Sequence, residues 1–204
     1  MSEFTVGTLF LKEYFELISS TIKVGNYGYH VHELNERWIV MLMEDEYLSK
    51  DDTYKNLYVL SEIAPLLYFS NAEDHEWGYK IFHNKQIVAS FNLSYELKYQ
   101  YFLDIAQTKY PDEDPHMLDI QLTKHIYNEI DASNEFIEQF NNQFKDINVE
   151  QFQLFGVNVE ELRDIFNYEL LRKLDYIHDV VEDFKRIVEI EEMEWINNDS
   201  EFER

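Results

Sequence analysis

The strongest constraint in this chain lies toward its C-terminus. There, apolar residues recur every three or four positions: Val159, Leu162, Phe166, Leu170, Leu174, Ile177, Val181, Phe184 and Val188. That spacing lines one side of a helix and does not fit the two-residue period of a strand. Gly156 breaks the chain ahead of it, Asn158 is placed to N-cap, and Glu161 stands three residues on as a capping-box partner. Val157 and Leu162 occupy the two positions of a hydrophobic staple. Carried unbroken through residues 158–196, the helix would be roughly 58 Å long at 1.5 Å per residue. That exceeds the width of a domain of this size and leaves room for a break near Asn167 and Tyr168. One apolar stripe needs a surface to lie on, so the rest of the chain is read as that surface.

Upstream, the spacing of Leu9, Leu11, Tyr14, Phe15, Ile18 and Ile22 predicts a first helix over residues 8–23, stopped by Gly25. Two strands follow at 29–34 and 38–43, joined at Asn35 and Glu36. A second helix over 49–63 starts at a box of Ser49 and Asp52 and closes at Pro65. Residues 66–93 carry the clearest strand pattern: Trp77, Tyr79 and Ile81 alternate, as do Ile87, Ala89, Phe91 and Leu93. Between them, His83-Asn84-Lys85-Gln86 fits a tight hairpin. A third helix spans 94–109. The acidic hinge from Pro111 to Pro115 is the best boundary, and Asp114 with Pro115 starts the next helix, which runs to about Ile130. Another follows over 133–147, and 149–155 is ambiguous between strand and helical turn.

The expected fold class is therefore α+β: an antiparallel β-meander of four or five strands packed by helices in the N-terminal half, and an all-helical C-terminal half ending in a long amphipathic helix. The regions divide as 1–110 and 111–204, packed together as one unit.

Charge narrows the function classes. The net charge is −24, from 17 Lys and Arg against 41 Asp and Glu. It is uneven: −7 over residues 1–110 and −17 over 111–204. A folded chain of this mass exposes on the order of 10,000 Å², so the excess is dense. Such a surface has no cations to spare for phosphate neutralisation, which argues against direct binding of nucleic acid or anionic membrane. It favours basic protein partners through electrostatic steering. The chain has no cysteine, which excludes disulfides, thiol catalysis and thiolate zinc sites. It shows no leader pattern and no apolar run of membrane-spanning length, so a cytoplasmic location is expected. The 15 Tyr, 15 Phe and 3 Trp are read mainly as core rings.

Signatures of chemistry are scarce. Gly-rich nucleotide loops, GxSxG elbows and HExxH pairs are absent, and the acidic runs lack calcium-loop spacing. These absences leave the cofactor unknown. The best metal candidate is His30-Val-His32, whose imidazoles would project from the same strand face, with His75 in a loop as a third ligand. The ordinary reading of these residues is a polar strand face and a loop tip. No catalytic residue is singled out among the carboxylates. On the last helix, Glu160, Glu161, Asp164, Asp175, Asp179, Glu182 and Asp183 lie off the apolar stripe. They can serve solubility with i,i+4 partners, or form a carboxylate array that recognises a basic protein as a phosphate ladder would. The profile resembles that of immunity, antitoxin and inhibitor proteins of bacteria and phages, a likeness of composition without aligned residues. The leading expectation is a non-enzymatic interaction protein that binds and occludes a basic partner. The alternatives are a metal-dependent enzyme or metal-binding module built on His30 and His32, and a structural subunit of a homo-oligomer.

Overall fold

Thr5–Leu11 forms strand β1 and runs through the middle of a six-stranded antiparallel sheet. In the computed structural model, which describes residues 4–72, 74–167, 171 and 179–200, the sheet also contains β2 (His30–Glu33), β3 (Trp38–Leu42), β4 (Leu66–Ala72), β5 (Glu76–His83) and β6 (Gln86–Ser94). The order is β2-β3-β1-β4-β5-β6. This corrects the expected helix over 8–23, of which only α1 (Phe15–Gly25) is helical, after a single 3₁₀ turn. The reason is burial. All but the last residue of β1 are buried, because Val6 and Phe10 face one core while Leu9 faces the other. A strand apolar on both faces loses its two-residue alternation, and its apolar letters can then be matched to a helical period. The sheet therefore has six strands and is no simple meander, since β1 inserts between β3 and β4.

The α+β architecture places a core on each face. One face is covered by α1 and by α2 (Asp51–Leu60), where Ile18, Ile22, Leu57 and Leu60 meet Phe10, Ile39, Met41 and Phe82. The other face carries the C-terminal helices. These are α3 (Leu97–Lys109), α4 (Ile120–Ala132), α5 (Asn134–Asn142), α6 (Val159–Ile165) and α7 (Asp179–Val188). This larger core draws on both sides of residue 110. Its centre is aromatic. Phe184 of α7 stacks on Phe69 and Tyr79 with centroids 5.8 and 5.4 Å apart, and lies 5.1 Å from Trp77. Phe152 meets the same Tyr79 edge-on at 5.0 Å. Rings arranged stacked and edge-to-face in this way contribute beyond their area.

The helices differ from expectation mainly at their ends. Asp114 does cap, accepting from the His116 amide at 2.9 Å, but the turn it opens spans only Pro115–Met117. The chain re-enters a helix at α4 under a second cap, Asp119. Residues Val149–Phe155 form 3₁₀ turns. Asn158 caps α6 as its letters suggest, yet α6 ends at Ile165, so the C-terminal stripe is not one helix. The expected helix at 168–170 and 172–178 lies outside the described residues.

The last helix stops at Val188 and does not reach Ile196. Glu189 takes a left-handed φ of 62°, its amide bonds Arg186 O at 3.2 Å, and the Ile190 amide bonds Lys185 O at 2.8 Å. This is a Schellman ending with a glutamate in the position usually held by glycine. Beyond it, residues 189–200 form a strap. Ile190 and Met193 are fully buried on the sheet, and the Val6 amide donates to Ile196 O at 2.6 Å. Gly7 makes room: a Cβ there would sit 2.7 Å from Val40 Cγ2 and 3.3 Å from Met193 Cε.

Candidate functional site

α6 and α7 carry six of the seven acidic residues expected to form a recognition surface. α6 and α7 pack against each other, and Arg186 bridges them to Glu161 at 3.9 Å. Glu160 pairs with Arg163, Glu182 with Lys185 at 2.7 Å, and Asp183 with Arg186 at 3.0 Å. Four of the seven residues are therefore engaged in ion pairs. Asp164 and Asp179 are exposed and have no ion partner among the described residues, and Asp175 lies outside them. Lys185 is 1% exposed, and Glu182 one turn earlier on the same helix neutralises its buried ammonium.

The charge that stays unneutralised continues along the strap. Glu191 and Glu194 are exposed without ion partners among the described residues. Trp195, beside them, is 51% exposed at a left-handed φ of 55°. The strap is tied to the strand end that carries another acidic run, Glu44 to Glu46. There the Asn198 amide donates to Glu46 Oε1 at 2.7 Å and Asn197 Nδ2 to Phe4 O at 3.4 Å. Tyr47, 71% exposed, rests on Phe4 with centroids 5.3 Å apart. Two exposed aromatic rings thus stand among carboxylates at one corner. Large exposed rings of this kind are the residue types that anchor protein interfaces.

The β2–β3 turn anchors the strap. Asn35 Oδ1 accepts from the Arg37 and Trp38 amides, both at 2.9 Å. Its Nδ2 donates to Glu189 O at 3.0 Å and to Glu192 Oε2 at 2.9 Å. Arg37 pairs with Glu189 at 2.6 Å and also donates to Phe155 O. Their bonds to the strap carry no sequence signal, since those partners lie more than a hundred positions away.

His30 and His32 share a face of β2, as the strand period requires. Burial, with the neighbouring His30, holds the His32 imidazole below its ordinary pKa, so it stays neutral at neutral pH. His75 does not join them. It lies at the β4–β5 turn, bonded through Nδ1 to Glu96 at 2.8 Å, and β3 and β1 intervene between β2 and β4. With strands about 4.8 Å apart, that offset is too wide for one metal ion. Among the described residues no three His, Asp or Glu side chains are grouped to hold a metal.

Two clefts are found among the described residues. One, of about 520 Å³, is lined by Ile87 to Ser90, Lys145, Asp146 and Asn148. It is the seam where a loop closes the β6 edge, with the Ser90 amide bonded to Asp146 O and Asn148 Nδ2 to Val88 O, both at 2.8 Å. The other, of about 220 Å³, lies at the head of β2 between Asn26 to Tyr29, Glu44, Asp45, Lys50, Asp52, Thr53 and Asn56. Burial alone would raise the Asp45 carboxyl. The Ser49 and Thr53 hydroxyls and the Lys50 and Ser49 amides outweigh that and hold it well below the usual carboxylate range. Asp45, rather than Ser49, organises the entry to α2, accepting from Ser49 Oγ at 2.6 Å and from the Ser49 and Lys50 amides at 2.9 Å.

No described helix is long and apolar enough to cross a membrane. Compared with known proteins, the chain matches no family model, no curated protein and no solved structure.

Proposed function

We propose that this protein is a non-enzymatic acidic interaction protein, inhibitor-like or nucleic-acid-mimicking, that binds and occludes a basic protein. The observation that carries the reading is the charge excess held on a rigid frame. Forty-one carboxylates face 17 Lys and Arg, so local ion pairs can quench only part of them. α6, α7 and the strap bear part of the remainder and are fixed by fully buried anchors such as Leu162, Phe184 and Met193. Carboxylates held in place need little ordering when a cationic surface arrives, which lowers the entropic cost of association. Asp164, Asp179, Glu191 and Glu194, with Trp195 and Tyr47, are the contacts this reading favours. The ion-paired Glu160, Glu161, Glu182 and Asp183 take the smaller part, because a partner would first have to displace Arg163, Lys185 or Arg186.

The test is affinity capture with the tagged protein from its native host, washed at low and at high salt, with eluates read by mass spectrometry. The expected result is a stoichiometric basic protein that leaves at high salt. Capture of nothing at either salt would overturn the reading.

A further inference from the structure

The two edges of the sheet are treated differently by the fold. At β6 the edge is closed by the Asp146 carbonyl, by Asn148 and by Gln143, whose Oε1 accepts from the Ser94 amide at 2.8 Å. At β2 nothing comparable happens. The Leu34 amide bonds Trp38 O at 3.0 Å, and the register pairs His32 with Val40 and His30 with Leu42. Even-numbered residues of β2 therefore turn their main-chain groups toward β3, and Val31 and Glu33 turn theirs outward. No hydrogen bond to those outward groups is made among the described residues. An open ladder of this kind is a template for another strand.

Charge around this edge selects the strand. Glu33 pairs with Lys12 at 2.6 Å, but Glu36 and Glu44 are exposed with no ion partner among the described residues. The cleft at the head of β2 has three carboxylates, Glu44, Asp45 and Asp52, against one cation, Lys50. Asp52 is itself paired with Lys55, at 2.7 Å. Tyr27 and Tyr29 form an aromatic wall, with centroids 5.7 Å apart, and an aromatic wall beside carboxylates suits an ammonium or guanidinium group. A second copy of this chain would bring the same negative charge to the edge and be repelled.

We propose that the free edge of β2 takes an extended lysine- or arginine-bearing segment of a basic protein as an added strand, one cationic side chain of which enters the Tyr27–Tyr29 cleft. This rests on the basic-partner reading above and adds where and how such a partner docks. Main-chain bonds to Val31 and Glu33 supply register, and the carboxylates supply selectivity.

The probe is a synthetic peptide of alternating lysine and threonine, with a twin N-methylated along its backbone. Binding is measured by calorimetry at low salt, and amide hydrogen exchange is followed residue by residue. The inference predicts that the plain peptide binds, that the Val31 and Glu33 amides become protected, and that the twin binds at least about tenfold more weakly. Glu33→Pro, which removes an outward donor without touching the β2–β3 ladder, weakens the plain peptide similarly. Using the twin keeps the test valid if that variant folds poorly. Equal binding of both peptides, or protection confined to α6, α7 and the strap, overturns the edge inference and leaves the basic-partner reading standing. Dimerisation of the protein through β2 in sedimentation overturns it in favour of a second copy. Absence of peptide binding overturns it as well, while capture from the host judges the wider reading separately.

Discussion

Asp45 shows how one side chain can organise a segment whose start the letters assign to its neighbours. The letters Ser49 and Asp52 suggest a capping box, yet Asp45 gathers the Ser49 hydroxyl and two amides and turns the chain into α2. Its folded carboxyl lies below the ordinary value. The stability it contributes is therefore fully present above the unfolded pKa, near 4, and is lost as pH falls through the folded value. Asp45→Asn is expected to cost about 1–2 kcal/mol at neutral pH. The gap to the parent protein should narrow progressively below about pH 4. Urea titrations across that range check it, and a gap that stays constant would contradict the assignment. Asn35 gives a second prediction at this scale. Asn35→Ala removes two bonds to the strap, so the amides of residues 189–194 should exchange faster while those of β4 and β5 hold.

Among the elements, what could be read in the letters depended on how many faces are buried. The β5–β6 hairpin was legible because its strands alternate and its turn uses Asn84 and Lys85, both at positive φ, as a two-residue loop requires. β1 was hidden because it is buried on both faces. The end of α7 was hidden for two reasons. Its left-handed residue is Glu189 rather than glycine, and Ile190, Met193 and Ile196 continue a three-residue spacing while packing from a non-helical strap. The acidic residues of the candidate surface are legible in the sequence, but their neutralisation is not. The Glu150–Arg163, Glu161–Arg186 and Arg37–Glu189 pairs are made only by tertiary packing. The aromatic centre can be tested at this scale. Phe184→Ala should destabilise by about 3–5 kcal/mol in denaturant titration, because its ring serves β4, β5, the 3₁₀ segment and Phe166 at the end of α6 together. A loss under about 1 kcal/mol would mean that α7 is not the element joining the helical layer to the sheet.

For the whole molecule, the net charge of −24 dominates behaviour away from any single site. Self-repulsion opposes compaction and is screened by salt, with a Debye length of about 10 Å at 0.1 M. The melting temperature is expected to rise between low and moderate salt, and a scan showing no rise would contradict this picture. The same charge sets the functional claim, that this surface receives a basic protein. The most direct measurement runs the host capture in parallel on the parent protein and on two variants. One is neutralised at the corner by Glu191→Gln, Glu194→Gln and Trp195→Ala, and the other at ion-paired positions by Glu160→Gln and Asp183→Asn. The account predicts a basic protein retained by the parent and by the second variant, and lost from the first. Retention by all three, or capture of nothing by the parent, would contradict it.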